Sequence, residues 1–317
     1  MNNLLSIILL SYNSGDRITR AYEKLSTLFQ KEQIPFEMIV MDDGSKDNSV
    51  EIASKMQEQH PNVFSYQLSR NYGSVYSGFA GLKMCHGDVA IGLPDDEQQP
   101  YDTVVKMYRL WQEGHKVIIP YRIDREDSRI SSFFSNQYYK LMNAWSTIEY
   151  PKGGADLAMI DREVIDIIND RIHPRNTMFI AELLNLGFDP VFLGYHRPIG
   201  LNKGKSRWTF RKKMKLAKDS LFSMSTFPLK LITYVGVFFF ILSVLLSAFY
   251  VYIRIWGNDE FWGVPVPGWT SLLIVMLFFG GLVMLSIGIT SEYIWRIYDE
   301  VKDRPGYIIR KKENNSL

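Results

Sequence analysis

Four short polar runs each follow a short apolar run within the first hundred residues: Ser11–Asn13, Asp42–Asp47, Arg70–Gly73 and Pro94–Pro100. Two of these runs contain adjacent acids, Asp42-Asp43 and Asp95-Asp96. Mg²⁺ in proteins is commonly held by one or two carboxylates together with phosphates of the substrate. Acid pairs after neighbouring strands that face one crevice therefore indicate a divalent cation and a nucleotide-diphosphate substrate.

The spacing of these acids leaves other interpretations open. An acid pair after a strand also occurs in phospho-acceptor signalling domains. A single acid can simply cap the following helix, which is one interpretation of Asp47 before Asn48 and Ser49.

Alternating apolar and amphipathic segments from Leu4 to about Leu193 predict the elements that position the acids. The predicted strands are Leu5–Leu10, Phe36–Met41, Val63–Leu68, Val89–Leu93 and Lys116–Pro120, and the predicted helices are Asp16–Phe29, Ser49–Gln59, Ser74–Met84 and Thr103–Glu113. This order favours an α/β fold with a mostly parallel sheet and helices on both faces. The carboxyl ends of such strands form the expected ligand site.

The start, Leu4–Leu10, is interpreted as a buried strand because it lacks the basic region and cleavage site of a signal peptide.

Composition narrows the class of protein further. The net charge of +2 offers no argument for a nucleic-acid partner. The lone Cys85 excludes an internal disulfide, fits a reducing cytoplasmic setting and is interpreted as a small apolar helix residue. Two uncharged apolar runs, Leu231–Ile253 and Trp269–Ser291, are each about 23 residues long and can cross a hydrocarbon core of about 30 Å.

Charges that flank the two apolar runs predict their orientation. A basic stretch, Arg197–Lys218, precedes the first run, and further Lys and Arg residues follow the second. Positive charge collects on the cytoplasmic side of membranes, so the N-terminal domain and the C-terminus are both expected in the cytoplasm of a multi-pass inner-membrane protein. The basic stretch is expected to lie at the membrane interface. Within the second apolar run, glycines would allow close packing against a helix of another copy, so a homo-oligomer is left open; they are Gly280, Gly281 and Gly288.

The motifs, taken in chain order, resemble those of family 2 glycosyltransferases of the polyprenyl-phosphate type. The resemblance covers nearly the whole chain and rests on these segments: Ile39–Asp47, Leu68–Gly73, Ala80–Lys83, Pro94–Pro100 (compare D-x-D-L-Q-x-P), Gly154–Asp156 with Ile160–Arg162, Gly204–Trp208, Glu292–Tyr298 and Arg304–Tyr307.

This resemblance implies a GT-A-like, Rossmann-type catalytic domain over residues 1–228 with a juxtamembrane segment at 197–228. Two transmembrane helices within 229–295, at about 231–253 and 269–291, and a cytoplasmic tail at 296–317 would follow. The implied reaction is inverting sugar transfer from a nucleotide-sugar, UDP-sugar favoured, to a polyprenyl phosphate, undecaprenyl phosphate favoured. Mg²⁺ or Mn²⁺ is the implied cofactor.

The resemblance also implies roles for individual residues. Asp156 and Asp96 would be catalytic, and Asp96 with Gln98 would hold the metal. The residues implied for the nucleotide-sugar are Tyr12, Asp42, Asp43, Gly44, Asp95 and Arg122. Those implied for the acceptor phosphate are Ser135, Arg197, Ser206 and Arg207.

Three departures from the family pattern stand out. Ser14-Gly15 replaces the usual pair of glutamates, and Pro94 replaces the first acid of the metal motif. Ser131-Ser132 stands where relatives often carry arginines. Two alternatives stay open: a processive polysaccharide synthase, although Gly204 breaks the expected Q-x-x-R-W pattern before Arg207, and a non-catalytic membrane sensor of sugar nucleotides.

Overall fold

A computed structural model of the chain describes residues 3–96, 99–123, 157–175, 177–196, 231–239, 260–261, 264–265 and 268–310, together with isolated positions between 241 and 248. The chain divides into two compact units. The first comprises Met1–Phe210 together with Pro305–Leu317, and the second comprises Arg211–Arg304.

The first unit is built around a seven-stranded mixed sheet. Its strands are β1 (Leu5–Ser11), β2 (Phe36–Asp42), β3 (Val63–Gln67), β4 (Val89–Pro94), β5 (Val117–Arg122), β6 (Met159–Asp161) and β7 (Val191–Tyr195). They lie in the order β3-β2-β1-β4-β6-β5-β7. β6 pairs antiparallel with both β4 and β5, and the other pairings in the sheet are parallel.

Helices cover both faces of this sheet. They are α1 (Arg17–Lys31), α2 (Ser49–Gln59), α3 (Ser74–Met84), α4 (Tyr101–Gln112), α5 (Arg162–Arg171) and α6 (Phe179–Asn185). The apolar stripe of α1 is Ile18, Ala21, Leu25 and Phe29, whose spacing of three and four residues places all four on one buried side. Residues of α1, α2 and α4 pack on one face of the sheet, and residues of α3, α5 and α6 pack on the other. The interior strand β1 therefore carries apolar residues on both faces of the sheet, rather than on one face only.

The predicted α/β class is confirmed, and so is the interpretation of Leu4–Leu10 as a buried strand. Most predicted boundaries shift by one or two residues, and Leu68 lies beyond β3 in an isolated bridge. The antiparallel β6 was not predicted, because three residues carry too little pattern to indicate a strand.

Cys85 is buried just after α3, and its burial raises the pKa of the thiol, which fits a structural role.

The second unit contains the short hairpin β8 (Glu260–Phe261) and β9 (Val264–Pro265), followed by the 34-residue helix α7 (Gly268–Val301). Among the described residues, one helical segment, Phe278–Val301, is long and apolar enough to cross a membrane. Residues 231–239 are also helical, and most of the remainder of the first predicted span lies outside the described residues. Helix α7 continues ten residues past Ser291, where the second predicted span ends.

Candidate active site

The carboxyl ends of β2, β1 and β4 lie side by side at one edge of the sheet. The chain order reverses between β1 and β4, and ligands in open α/β sheets bind beside such a reversal. The prediction that the two acid pairs follow neighbouring strands is wrong, because β1 lies between β2 and β4. Two strand spacings, about 10 Å in all, therefore separate the ends of the acid-bearing strands. The loop after β1 fills the space between them.

Asp42 and Asp43, at the end of β2, are both buried. Asp42 Oδ1 accepts a hydrogen bond of 2.8 Å from the backbone N–H of Ser45, and its Oδ2 accepts one from the Ser45 hydroxyl. Asp43 accepts from the backbone N–H groups of Tyr72 (2.7 Å) and Gly73 (2.8 Å), at the start of α3. Burial raises the pKa of Asp43 and these two hydrogen bonds oppose the rise. Both carboxylates thus shape the loop that they belong to.

Gly44 is required by the shape of this same loop. Its φ of +70° lies in the left-handed region, which side chains other than glycine adopt at a cost. A Cβ atom at this position would also lie 2.6 Å from the backbone carbonyl carbon of Arg70. The β2 loop and the 68–73 loop are therefore in direct backbone contact.

Asp95, which follows the end of β4, is held by two side chains. Asp95 Oδ2 accepts from the Ser14 hydroxyl and forms an ion pair of 3.0 Å with Arg17. Burial raises the pKa of Asp95, and Ser14 and Arg17 oppose the rise. Asp96 is partly exposed with a buried Oδ1 atom. The serine that departs from the family pattern at position 14 thus serves as the partner of Asp95.

The loop after β1 connects the two acid-bearing loops. Asn13 receives the Lys46 N–H on its Oδ1 atom at 3.0 Å and donates its own N–H to the Ser45 hydroxyl at 2.8 Å. Tyr12 is exposed at this loop, with 42% of its surface accessible. Its role in nucleotide binding stays a prediction.

A cleft of about 280 Å³ lies next to the end of β4, between the sheet and α3. Its walls are mainly apolar, and Arg122, Tyr195 and Gln99 supply polar groups. Arg122, the last residue of β5, donates from Nε to the Tyr195 hydroxyl at 3.2 Å. Gln99 is 4% exposed. The cleft therefore joins a cationic group to an apolar surface beside the β4 acids.

Several residues implied by the family resemblance lie outside the described residues. They are Gln98, Ser135, Asp156, Arg197, Ser206 and Arg207. Their roles stay predictions.

Sequence reasoning missed Ser14, Arg17 and Tyr195 as members of the site. Arg17 carried a recoverable signal, since it follows the β1 loop at the start of α1, where it can reach an acid on the adjacent strand end. Tyr195 ends β7, and the same rule of polar residues at strand ends would have found it.

The acids of this edge fit a divalent cation that is shared with a substrate. Within the described part of the chain, no group of three or more Asp, Glu, His or Cys side chains converges on one point. A cation held mainly by protein would need such a group, whereas Mg²⁺ bound to a diphosphate needs one or two protein ligands. Asp96 is partly exposed after β4, and its role as a metal ligand, like that of Gln98, stays a prediction.

Comparison with known proteins now defines the class of this enzyme. The model of glycosyl transferase family 2 matches residues 6–168, just over half of the chain and most of the sheet. The chain belongs to this family and is a glycosyltransferase.

Full-length relatives include two bacterial proteins. The chain is 31% identical over 320 residues to the uncharacterized glycosyltransferase YkcC of Bacillus subtilis, covering 98% of this chain and 96% of that protein. It is also 31% identical over 314 residues to the SfII prophage-derived bactoprenol glucosyl transferase of Shigella flexneri, covering 98% and 99%. Among solved structures, glucosyl-3-phosphoglycerate synthase from Mycobacterium tuberculosis with uridine diphosphate aligns with a TM-score of 0.45 and 14% identity, over 68% of this chain and 76% of that one.

Proposed function

We propose that this glycosyltransferase moves a sugar from a UDP-sugar to a polyprenyl phosphate, undecaprenyl phosphate being favoured, at the cytoplasmic face of the membrane. The observation that carries this proposal is the match to a bactoprenol glucosyl transferase over 98% of the chain, which includes the apolar C-terminal third and not only the catalytic domain. The product would be a polyprenyl-phosphate-linked sugar that serves as a donor for cell-envelope glycans or lipopolysaccharide.

The proposed architecture has three parts. A GT-A-type domain over residues 1–228, with its basic segment at 197–228, carries the site. Two helices at about 231–253 and 269–291 cross the membrane, and residues 296–317 return to the cytoplasm. The apolar segment Phe278–Val301 supports the second crossing. A cysteine placed at Asn258 should react with an impermeant thiol reagent from the outer side only, and labelling from the cytoplasmic side would contradict this topology.

On the donor side, Tyr12 and the β2 loop of Asp42, Asp43 and Gly44 would position the base and ribose. Asp96 and Gln98 would hold Mg²⁺ or Mn²⁺, which when bound neutralises the diphosphate and favours departure of the nucleotide. Asp95, whose carboxylate contacts Ser14 and Arg17, would support these metal ligands.

On the acceptor side, the nucleophile is a lipid phosphate. A phosphate monoester is mostly ionised at neutral pH because its second pKa is about 6, so a strong general base is not needed. The larger task is to bring one anion up to another. Arg122 in the cleft would reduce that repulsion near the donor phosphates, as would Arg197 and Arg207, with Ser135 and Ser206, near the acceptor phosphate. Asp156 would orient the acceptor or stabilise positive charge on the sugar ring, and direct in-line attack would invert the anomeric carbon.

A panel of radiolabelled UDP-, GDP- and dTDP-sugars tests the proposal. The full-length protein is purified in detergent and incubated with each donor, a divalent cation and undecaprenyl phosphate. We expect label in the organic phase only when the lipid phosphate is present, with the UDP-sugar giving the most. Growth of a water-soluble polymer would instead indicate a processive synthase, and binding of nucleotide-sugar without any transfer would indicate a sensor. Either outcome would contradict the proposed reaction.

A further inference from the structure

We propose that the C-terminal segment Pro305–Arg310 is a positioning element for the nucleotide site, adding a short edge strand that holds the 68–73 loop against the β2 acids. The inference rests on the proposed role of the β2 loop in binding the nucleotide-sugar. It assigns to the tail a role in donor binding rather than in membrane attachment.

The tail is hydrogen-bonded to the edge of the sheet beside β3. Leu68 and Ile309 form an antiparallel bridge. The backbone N–H of Ser69 donates to the Ile308 carbonyl at 2.8 Å, and that of Arg310 donates to the Gln67 carbonyl at 2.7 Å. These paired bonds are the pattern of a strand added to a sheet edge.

Side chains fix the same segment as well. Tyr307 and Ile309 pack against the cluster that contains Leu68 and Phe79, and burial raises the pKa of the Tyr307 phenol. Arg310 donates from one guanidinium nitrogen to the Ser69 carbonyl at 3.1 Å.

The start of the segment is fixed as well. Arg175 donates to the Pro305 carbonyl at 3.3 Å. A Cβ at Gly306 would lie 2.6 Å from Pro174 Cγ, so only glycine fits here without movement of its neighbours. The tail is thus built into the catalytic unit from Pro305 to Arg310.

The loop that the tail holds is the one that binds the β2 acids. Leu68 donates its N–H to the Asp42 carbonyl at 2.8 Å, and Tyr72 and Gly73 donate to Asp43. Within the loop, the Ser69 and Tyr72 hydroxyls lie 2.9 Å apart. One layer of backbone, residues 68–73, therefore separates the tail from the proposed base and ribose site. Loss of the tail contacts should loosen that layer first.

Substitutions at Arg310 test this inference without shortening the chain. Arg310→Pro removes both the backbone donor to Gln67 and the side-chain contacts, whereas Arg310→Ala removes only the side chain. Arg304→Ala makes the same change of charge six residues earlier and serves as the control. Binding of UDP, GDP and dTDP to each full-length variant is measured by calorimetry, and KM for donor and for lipid phosphate is measured separately. Thermal unfolding verifies that each variant is folded.

We expect Arg310→Pro to weaken binding of the preferred nucleotide about tenfold and to raise the donor KM to match. Arg310→Ala should weaken it two- to threefold. The KM for lipid phosphate and the behaviour of Arg304→Ala should stay as in the parent chain. Amide hydrogen exchange should accelerate in the peptide that contains Tyr72 and Gly73.

Unchanged nucleotide affinity in folded Arg310→Pro would overturn the inference and leave the proposed function standing. A change confined to the lipid KM, or an equal effect of Arg304→Ala, would overturn it too. If the parent chain bound none of the three nucleotides, the proposed function would fail, and this inference with it.

Discussion

The two acid pairs at the active-site edge have the same composition but are held in different ways. In the β2 pair, both carboxylates accept backbone N–H groups, at Ser45 for Asp42 and at Tyr72 and Gly73 for Asp43. In the β4 pair, Asp95 is held by the side chains of Ser14 and Arg17. A backbone N–H donor remains when its own residue is substituted, whereas a side-chain donor is lost or replaced. The β2 pair therefore builds a loop, and the β4 pair is the one that substitutions can tune.

The largest expected effect is that of Asp96→Asn. Loss of this carboxylate should lower kcat/KM for transfer by about 100-fold or more, because counter-charge at a diphosphate contributes several kcal/mol. Nucleotide-sugar binding should weaken as well. Asp102→Asn, at an exposed acid in the first turn of α4, is the matched control and should change little. Full activity in excess chelator would remove the metal from the mechanism.

Gly44→Ala addresses the rigidity of the β2 loop. The left-handed φ and the 2.6 Å approach to Arg70 backbone should lower the free energy of unfolding by about 2 kcal/mol. For a domain of this size the expected fall in Tm is about 4–8 °C. Gly78→Ala is the control, because its Cβ would meet nothing within 4 Å. Equal Tm values for the two variants would show that the loop tolerates movement.

Asp95→Asn should reduce kcat/KM about tenfold, clearly less than Asp96→Asn, because Asp95 supports the loop through Ser14 and Arg17. A double-mutant cycle with Arg17→Ala tests this reason. Since the two side chains form an ion pair, we expect the double variant to lose about 1 kcal/mol less than the sum of the single losses. Additive losses would mean that the pair does not act as a unit, and equal losses at Asp95 and Asp96 would reverse their assigned roles.

Asp43→Ala should have the smallest effect, about 1 kcal/mol in the free energy of unfolding, because it removes the acceptor of two N–H groups at the start of α3.

The pKa of Asp43 is raised above its ordinary value of 3.8 by burial, so the folded protein binds this proton more tightly than the unfolded chain does. Stability should therefore fall as pH rises from about 3.8 through the raised native pKa. The Asp43→Ala variant should show a shallower slope, because Asp95, whose pKa is also raised, keeps its own contribution; thermal unfolding across that pH range would detect the difference. Asp16→Asn, at an exposed acid, should retain the slope.

The pattern of apolar and polar residues along the chain was sufficient to predict the α/β class, the order of the early elements and the acid pairs at strand ends. These features follow directly from the spacing and type of neighbouring residues, as in the mainly apolar β1 and the buried stripe of α1. The order of the strands in space was decided by tertiary packing, which placed β1 between the acid-bearing strands and inserted the short antiparallel β6. The partners Ser14 and Arg17 lie about eighty residues from Asp95 in the chain. The tail at Ile308 and Arg310 lies about 240 residues from the loop that it holds. Contacts over such separations leave no periodic pattern in the sequence, because they depend on which surfaces meet after the elements have packed.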